Sequence, residues 1–209
     1  MIDRRFLLLL ILLALAGGCA TKATDYYPLA VGNAWTYDIA EEGGGRRQTT
    51  EIVYRRQYNK YYFNNGEILL IAGDRSLVNA KGVTVLENIL RPGYQWFDNE
   101  MEFRVAAVDR PLDVPAGRFN RTVEVTWTSK FPGDRPIDSK TPPTLNPGPN
   151  PRIFIYRTTY ARGIGKVREE LTTIQPDGTR TLEFVAVLTG YRIRDGKAFR
   201  TGGLPPPSK

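Results

Sequence analysis

The 209-residue chain contains no histidine and a single cysteine. Without histidine there is no imidazole general base, no Ser-His-Asp or Cys-His machinery and no ordinary zinc site. One cysteine permits neither an internal disulfide nor a cysteine cluster. Only four serines occur, and none sits in a nucleophile-elbow context. Long apolar runs are equally scarce. The only one, Phe6 to Leu15, has ten residues, about half of what a membrane-spanning helix requires. A sustained apolar period of 3.6 is also missing, and 20 glycines with 15 prolines are too many for a helical bundle. At 41% apolar residues the chain is nevertheless too hydrophobic to be disordered, and its length suits one domain with tails.

The N-terminus indicates a compartment. Met1 to Arg5 is short and net basic, and the apolar run that follows has the length of a signal-peptide core. After it come Ala16-Gly17-Gly18-Cys19. This resembles the lipobox of bacterial lipoproteins, with Ala16 where Leu is usual, Gly18-Cys19 as the cleavage junction and Cys19 as the acceptor of a diacylglyceryl group. The alternative is an idle thiol behind an ordinary cleavage site. The resemblance implies a signal peptide over residues 1–18 and a lipidated tether over 19–25, with two acyl chains holding the protein on a membrane. Ala20 after the cysteine implies the outer membrane in a cell with two membranes. The tether is brief, with a reach on the order of 20 Å.

Beyond it, apolar residues alternate with period two. Trp35, Tyr37 and Ile39 share one face, as do Met101, Phe103, Val105 and Ala107, and Val123, Val125 and Trp127. Residues 153–160 and 182–188 are β-branched, aromatic or aliphatic on both faces and read as strands covered on both sides. Turn signals at Gly43-Gly44-Gly45, Asn64-Asn65-Gly66, Ala80-Lys81-Gly82 and Pro176-Asp177-Gly178 separate the runs. The expected fold is all-β: a single strongly curved antiparallel meander of about ten strands over residues 26–194, half-barrel or barrel-like, with little helix. Its aromatic supply, 11 Tyr, 9 Phe and 3 Trp, suits bulky filling of a concave side. A two-sheet sandwich is the other arrangement open to such strands.

Two segments fall outside this pattern. Residues 131–151 hold seven prolines and read as a stiff exposed loop, or as a partner-binding polyproline segment. Residues 195–209 are rich in Gly, Pro and basic side chains and read as a disordered tail. Of the net charge of +7, residues 152–209 supply +6, with eleven basic and five acidic residues. That basic third could lie against anionic head groups, or be no more than solvated strand faces. Export leaves nucleic acid without a role as partner.

Three short patterns together resemble a family. Tyr27-Pro28-Leu29-Ala30-Val31-Gly32-Asn33-Ala34-Trp35-Thr36-Tyr37, Val114-Pro115-Ala116-Gly117-Arg118-Phe119 and Tyr160-Ala161-Arg162-Gly163-Ile164-Gly165-Lys166-Val167 follow in order. They are similar to the PLxxGNxWxY, VPAGxF and YAxGxGxV signatures of secreted and lipid-anchored bacterial β-proteins of unknown function, labelled in part TapB-like. The resemblance covers about residues 26–191. It implies a curved antiparallel sheet and no established catalytic residues. Physically, each pattern has a structural role. The first is a turn leading Trp35 and Tyr37 into the core, the second a Pro115/Gly117 turn returning Phe119, and the third a glycine bend between two strands. A phosphate-cradling loop at Gly163–Gly165 would need a helix after it, and residues 166–173 alternate like a strand.

Carboxylate chemistry needs no histidine. Asp98, Glu100 and Glu102 beside Trp96 and Phe97 are the densest acidic group and could line a sugar site, although solvated strand-end charge is commoner. Glu169 and Glu170, adjacent on a strand, point to opposite faces. No catalytic residue, metal ligand or cofactor site emerges. The expectation is a non-enzymatic envelope protein whose concave aromatics, among them Trp35, Tyr37 and Trp127, face a lipid, glycan or protein partner. Alternatives are an accessory subunit of an envelope complex and a carboxylate hydrolase.

Overall fold

The computed structural model of the chain describes residues 22–132, 143–144, 147–195 and 198–203. The cleavage junction Gly18-Cys19, the signal peptide and most of the proline-rich stretch lie outside these residues. The described chain is almost wholly β. The largest sheet runs β1 (Ala34–Glu41), β2 (Arg46–Gln57), β3 (Lys60–Phe63), β4 (Ile68–Ile71), β5 (Leu77–Asn79) and β6 (Thr84–Leu86) to one side. To the other side of β1 lie β14 (Arg180–Asp195), β13 (Gly165–Ile174), β12 (Arg152–Ala161), β11 (Thr122–Phe131), β8 (Met101–Val108) and β7 (Gln95–Asp98). All pairings are antiparallel.

Taken in order around the sheet, these twelve strands are an up-and-down meander that is nearly closed and barrel-shaped. The ladder is continuous from the first strand to the last, so β1 and β14 join the two chain ends. Among the twelve described strands, only the neighbours β6 and β7 lack a ladder between them. There, Trp96 donates its indole N–H to the Thr84 carbonyl at 3.0 Å, and Asp98 accepts the Thr84 N–H at 2.7 Å. Two β7 side chains thus satisfy both backbone groups of one β6 residue, which a barrel edge would otherwise leave unpaired. A two-stranded hairpin, β9 (Leu112–Val114) with β10 (Gly117–Phe119), is inserted between β8 and β11.

The expected count of about ten strands falls short because β3 to β6 have three or four residues each. Such strands carry too few alternations to register as a period. The tail expected from residue 195 onward is not wholly loose: β15 (Ala198–Gly202) pairs with β14 from Tyr191 to Asp195. The tether expected over 19–25 also becomes part of the fold, as Ala23–Tyr26 form one helical turn, α1, with Ala23 and Tyr26 buried. The two-sided covering expected for 153–160 and 182–188 holds only at residues 158–160, where Thr158, Thr159 and Tyr160 are all buried. Phe184, Ala186 and Leu188 face in, whereas Leu182 on the outer face is 51% exposed. A barrel has an apolar inside and a wet outside, and Arg157 and Leu182 lie on the wet side.

Alternation places Trp35, Tyr37, Val53, Phe63, Leu69, Leu77, Leu86, Phe103, Val105, Val123, Val125 and Leu188 in the core, each 2% exposed or less. The N-terminal segment closes one end of it. Ala23 N–H bonds the Asn88 side chain, Gly163 N–H bonds the Asp25 carbonyl, and Tyr27 enters the core against Trp35, Phe63 and Tyr160.

Candidate functional site

The first and third sequence signatures meet at this plugged end. Trp35 Nε1 donates to the Ile164 carbonyl at 2.6 Å and the Tyr37 hydroxyl to the Lys166 carbonyl at 3.0 Å, each across 129 residues of chain. Gly165, between those carbonyls, has φ +120°, and a Cβ there would stand 2.6 Å from Trp35 Nε1 and 2.9 Å from the Tyr27 ring. Glycine is therefore required twice over, for its backbone angle and for space. Asn33 completes the lock: its amide donates to the Pro28 carbonyl at 2.7 Å, and its oxygen accepts from Arg194 N–H at 2.8 Å. The second signature is the β9–β10 turn, with Gly117 at φ +137° and Phe119 half-buried against Tyr191.

Below the middle of the barrel lies a buried ionic group. The β12–β13 register slips between Thr159 and Tyr160, so Val167 has no cross-strand partner and acts as a bulge. Lys166 and Glu169, three residues apart, therefore share the inner face. Lys166 Nζ lies 3.1 Å from Glu169 Oε2, 3.4 Å from Glu51 Oε1 and 5.3 Å from the Tyr37 ring centre. Burial alone would lower the Lys166 pKa. Glu169, Glu51 and Glu67 outweigh it and raise the value well above the usual one. Burial pushes Glu67 up from its ordinary range; Lys166 opposes this, and Glu51 and Glu169 add to it. Desolvation raises Tyr27 and Tyr37 well above a normal phenol, with Glu51 contributing in both. The second oxygen of Glu51, Oε2, is buried and has no hydrogen-bond partner. Two carboxylates, Glu51 and Glu169, share one ammonium, Glu67 lies in the cavity beside them, and Glu51 retains an unused acceptor.

At the opposite end of the barrel the described residues, Pro143 among them, leave a cleft open. Trp96, Phe103, Trp127 and Tyr156 are successive cross-strand neighbours on β7, β8, β11 and β12. Their rings stack at centroid separations of 5.1, 6.0 and 3.8 Å. Beside them a cleft of about 410 Å³ is walled by Val83, Val85, Met101, Trp127, Phe131 and Phe154, with Asn79, Lys81, Asn99 and Ser129 as its polar members. Small-molecule sites occupy roughly 300–1,000 Å³ and are mostly apolar with a few polar groups. Trp127 and Val85 also line a smaller cavity, about 180 Å³, that reaches Glu67, Lys166 and Glu169. The cleft and the ionic floor thus lie on two sides of Trp127.

The sequence-nominated aromatics divide accordingly. Trp35 and Tyr37 are fully buried in the plugged half. Trp127 is half-buried and borders the cleft. The acidic group 98–102 also divides. Asp98 is the cross-strand partner of inward-facing Met101 and holds Thr84, whereas Glu102 pairs with Phe97 on the outer face and lies 3.9 Å from Lys130. Glu169 and Glu170 do point oppositely: Glu170 binds Arg157 and Arg168 on the outside. Glycines 163–165 lead into β13, not into a helix. Sequence reasoning passed over Lys166, Glu51 and Glu67. The one available signal was a lysine placed next to Gly165 in a bend that must pack against tryptophan. Among the described residues no three His, Asp or Glu side chains converge as metal ligands, and no helix is long and apolar enough to cross a membrane.

No family model matches the chain, and no curated protein matches it. Two solved structures align with 81% of it and 98% of their own length. One is a candidate exported protein with a YmcC-like fold from Bacteroides fragilis, at 14% identity and a TM-score of 0.46. The other is a candidate lipoprotein from Parabacteroides distasonis, at 13% identity and a TM-score of 0.38. At these values the likeness is one of general chain path, and nothing about the role of either protein transfers.

Proposed function

We propose that this chain is a cell-envelope lipoprotein, anchored through Cys19, that binds an apolar ligand in the open end of its barrel without turning it over. The observation that carries the binding part is the asymmetry of the two ends. Tyr27 and the ring cluster around it fill the N-terminal end, while the far end keeps a cleft of about 410 Å³ beside the Trp127–Tyr156 stack. Ala23 follows Cys19 by only four positions, a reach of about 14 Å. The anchor therefore belongs to the plugged end, and the cleft opens away from the bilayer, toward molecules in the adjoining compartment. The carboxyl groups of Glu67 and Glu169, which line the cavity behind Trp127, disfavour an anionic head group and favour one that donates a hydrogen bond. The ligand class is accordingly a single aliphatic chain ending in an alcohol or amine. An accessory subunit docking through a sheet edge has less support, since Trp96 and Asp98 occupy both polar groups of Thr84.

Two experiments test this. Cys19→Ser should abolish metabolic acyl labelling and release the protein from membranes; labelling of that variant would overturn the anchor. Titration with dodecanol, dodecylamine and dodecanoate, followed by tryptophan fluorescence, should show binding of the first two and weak binding of the third. Trp127→Ala should weaken it by about tenfold, through lost stacking and contact area. No saturable response to any of the three, or turnover of the bound molecule, would refute the binding reading.

A further inference from the structure

The end of the barrel that carries the N-terminus is also where two hairpins project past the rim. β2 runs beyond Val53, the last residue level with the start of β1, and turns at Tyr58–Asn59 into β3. β14 likewise continues past Arg192, the partner of Ala34, and returns as β15. Residues 54–60 contain three basic residues and no acidic one; the described residues of the second hairpin, 191–195 and 198–202, contain three basic residues and one acidic one. The described residues of the two tips thus carry +3 and +2, although they are far apart in sequence and only the second belongs to the basic C-terminal third.

Both tips also expose aromatic rings. Tyr58 is 85% exposed, with its backbone in the left-handed region (φ 55°), and Tyr54 is 57% exposed. Phe199 is 42% exposed, flanked by the Arg192 and Arg194 guanidinium groups at 5.2 and 5.7 Å from its ring centre. Arg55 stands over the Tyr62 ring at 4.5 Å, and Arg56 over Tyr61 at 5.3 Å. The exposed rings Tyr54, Tyr58 and Phe199, with guanidinium groups on the same tips, are chemically suited to one surface in particular. Arg and Lys meet lipid phosphates, and Tyr and Phe settle at the level of the head groups and upper acyl chains. Rings and arginines also mark protein and nucleic-acid interfaces, but two basic, ring-bearing hairpins flanking β1 on the rim nearest the N-terminal segment suit an extended anionic surface.

We propose that this rim is a docking face for an anionic phospholipid surface, with hairpin 54–60 and the paired segments 191–195 and 198–202 as its two contacts. Docking on both tips stands the barrel upright on the bilayer and directs the open end outward. It does not depend on which ligand the cleft holds, nor on how Cys19 is modified.

The test is hydrogen exchange of the full chain reconstituted in nanodiscs of phosphatidylcholine alone or mixed with phosphatidylglycerol, whose anionic head groups attract basic segments. Amides of residues 54–60 and 198–202 should exchange about tenfold more slowly with the anionic lipid, and high salt should remove the difference. Arg55→Glu/Arg56→Glu, on exposed positions, should abolish protection at the first hairpin and leave core strands such as β8 unchanged. Equal exchange in the two lipid compositions would overturn the proposal, as would protection that persists in the double variant. Tyr58→Ala should lower the protection without removing its salt dependence; no effect of that variant would overturn the role of the rings.

Discussion

Trp96 donates its indole N–H to the backbone carbonyl of Thr84, joining the two strands that have no ladder between them. Trp96→Phe keeps the ring in its stack with Phe103 and removes only the donor. The expected cost is about 1 kcal/mol in chemical denaturation, the usual net worth of one hydrogen bond. Amides of residues 84–86 should exchange faster, because the seam then depends on Asp98 alone. Unchanged exchange there would show that the seam does not rely on Trp96.

Gly165→Ala places a methyl group 2.6 Å from Trp35 Nε1, at a backbone angle that L-residues rarely adopt. The two penalties, strain and overpacking, together predict a loss of about 2–5 kcal/mol. The bond from Trp35 to the Ile164 carbonyl should lengthen, which near-ultraviolet circular dichroism of the tryptophans would report. A neutral substitution would contradict the packing of the first signature against the third.

Lys166→Met leaves Glu51 and Glu169 buried without their cation. The expected loss is about 3 kcal/mol, typical of breaking one side of a buried ion pair. Glu51→Gln in the same background should return part of it, because the surviving carboxylates then repel less. The lysine's folded pKa is raised above 10.5, so its stabilisation is fully present below that value. It is lost as pH rises through the folded value, and the variant should lack this alkaline loss.

Glu67 has the opposite consequence at lower pH. Its folded pKa lies above the ordinary 4.5, so the folded state keeps a proton that the unfolded chain has released. Stability should therefore decline as pH rises from about 4.5 toward the folded value. Glu67→Gln should flatten that part of the profile in urea unfolding measured from pH 4 to pH 8. An identical slope in the variant would assign the decline to another group.

Much of the fold is legible in the chain. Strands β1, β8 and β11 follow from the alternation around Trp35, Phe103 and Val123, where eight or more residues give the period room to show, and β12 from the unbroken β-branched and aromatic run 153–160. The turns at residues 43–45, 64–66, 80–82 and 176–178 follow from glycine and asparagine chemistry. The site is much less legible. An inward aromatic has the same sequence pattern whether it meets a plug or an opening, so Trp35 and Trp127 look alike although the structure separates them.

By itself the sequence excluded histidine and disulfide chemistry, marked Cys19, and determined an antiparallel sheet, because composition and period two are local properties of the chain. Only the tertiary structure decided three further matters: that the sheet nearly closes, that Lys166 faces Glu51 and Glu169 inside it, and that two basic hairpins share a rim. Each depends on register. The bulge at Val167 shifts every later side chain by one position, and the meander brings residues 55 and 200 to the same end across most of the chain. Periodicity holds no record of either, because long-range contacts are chosen by the packing of the whole barrel.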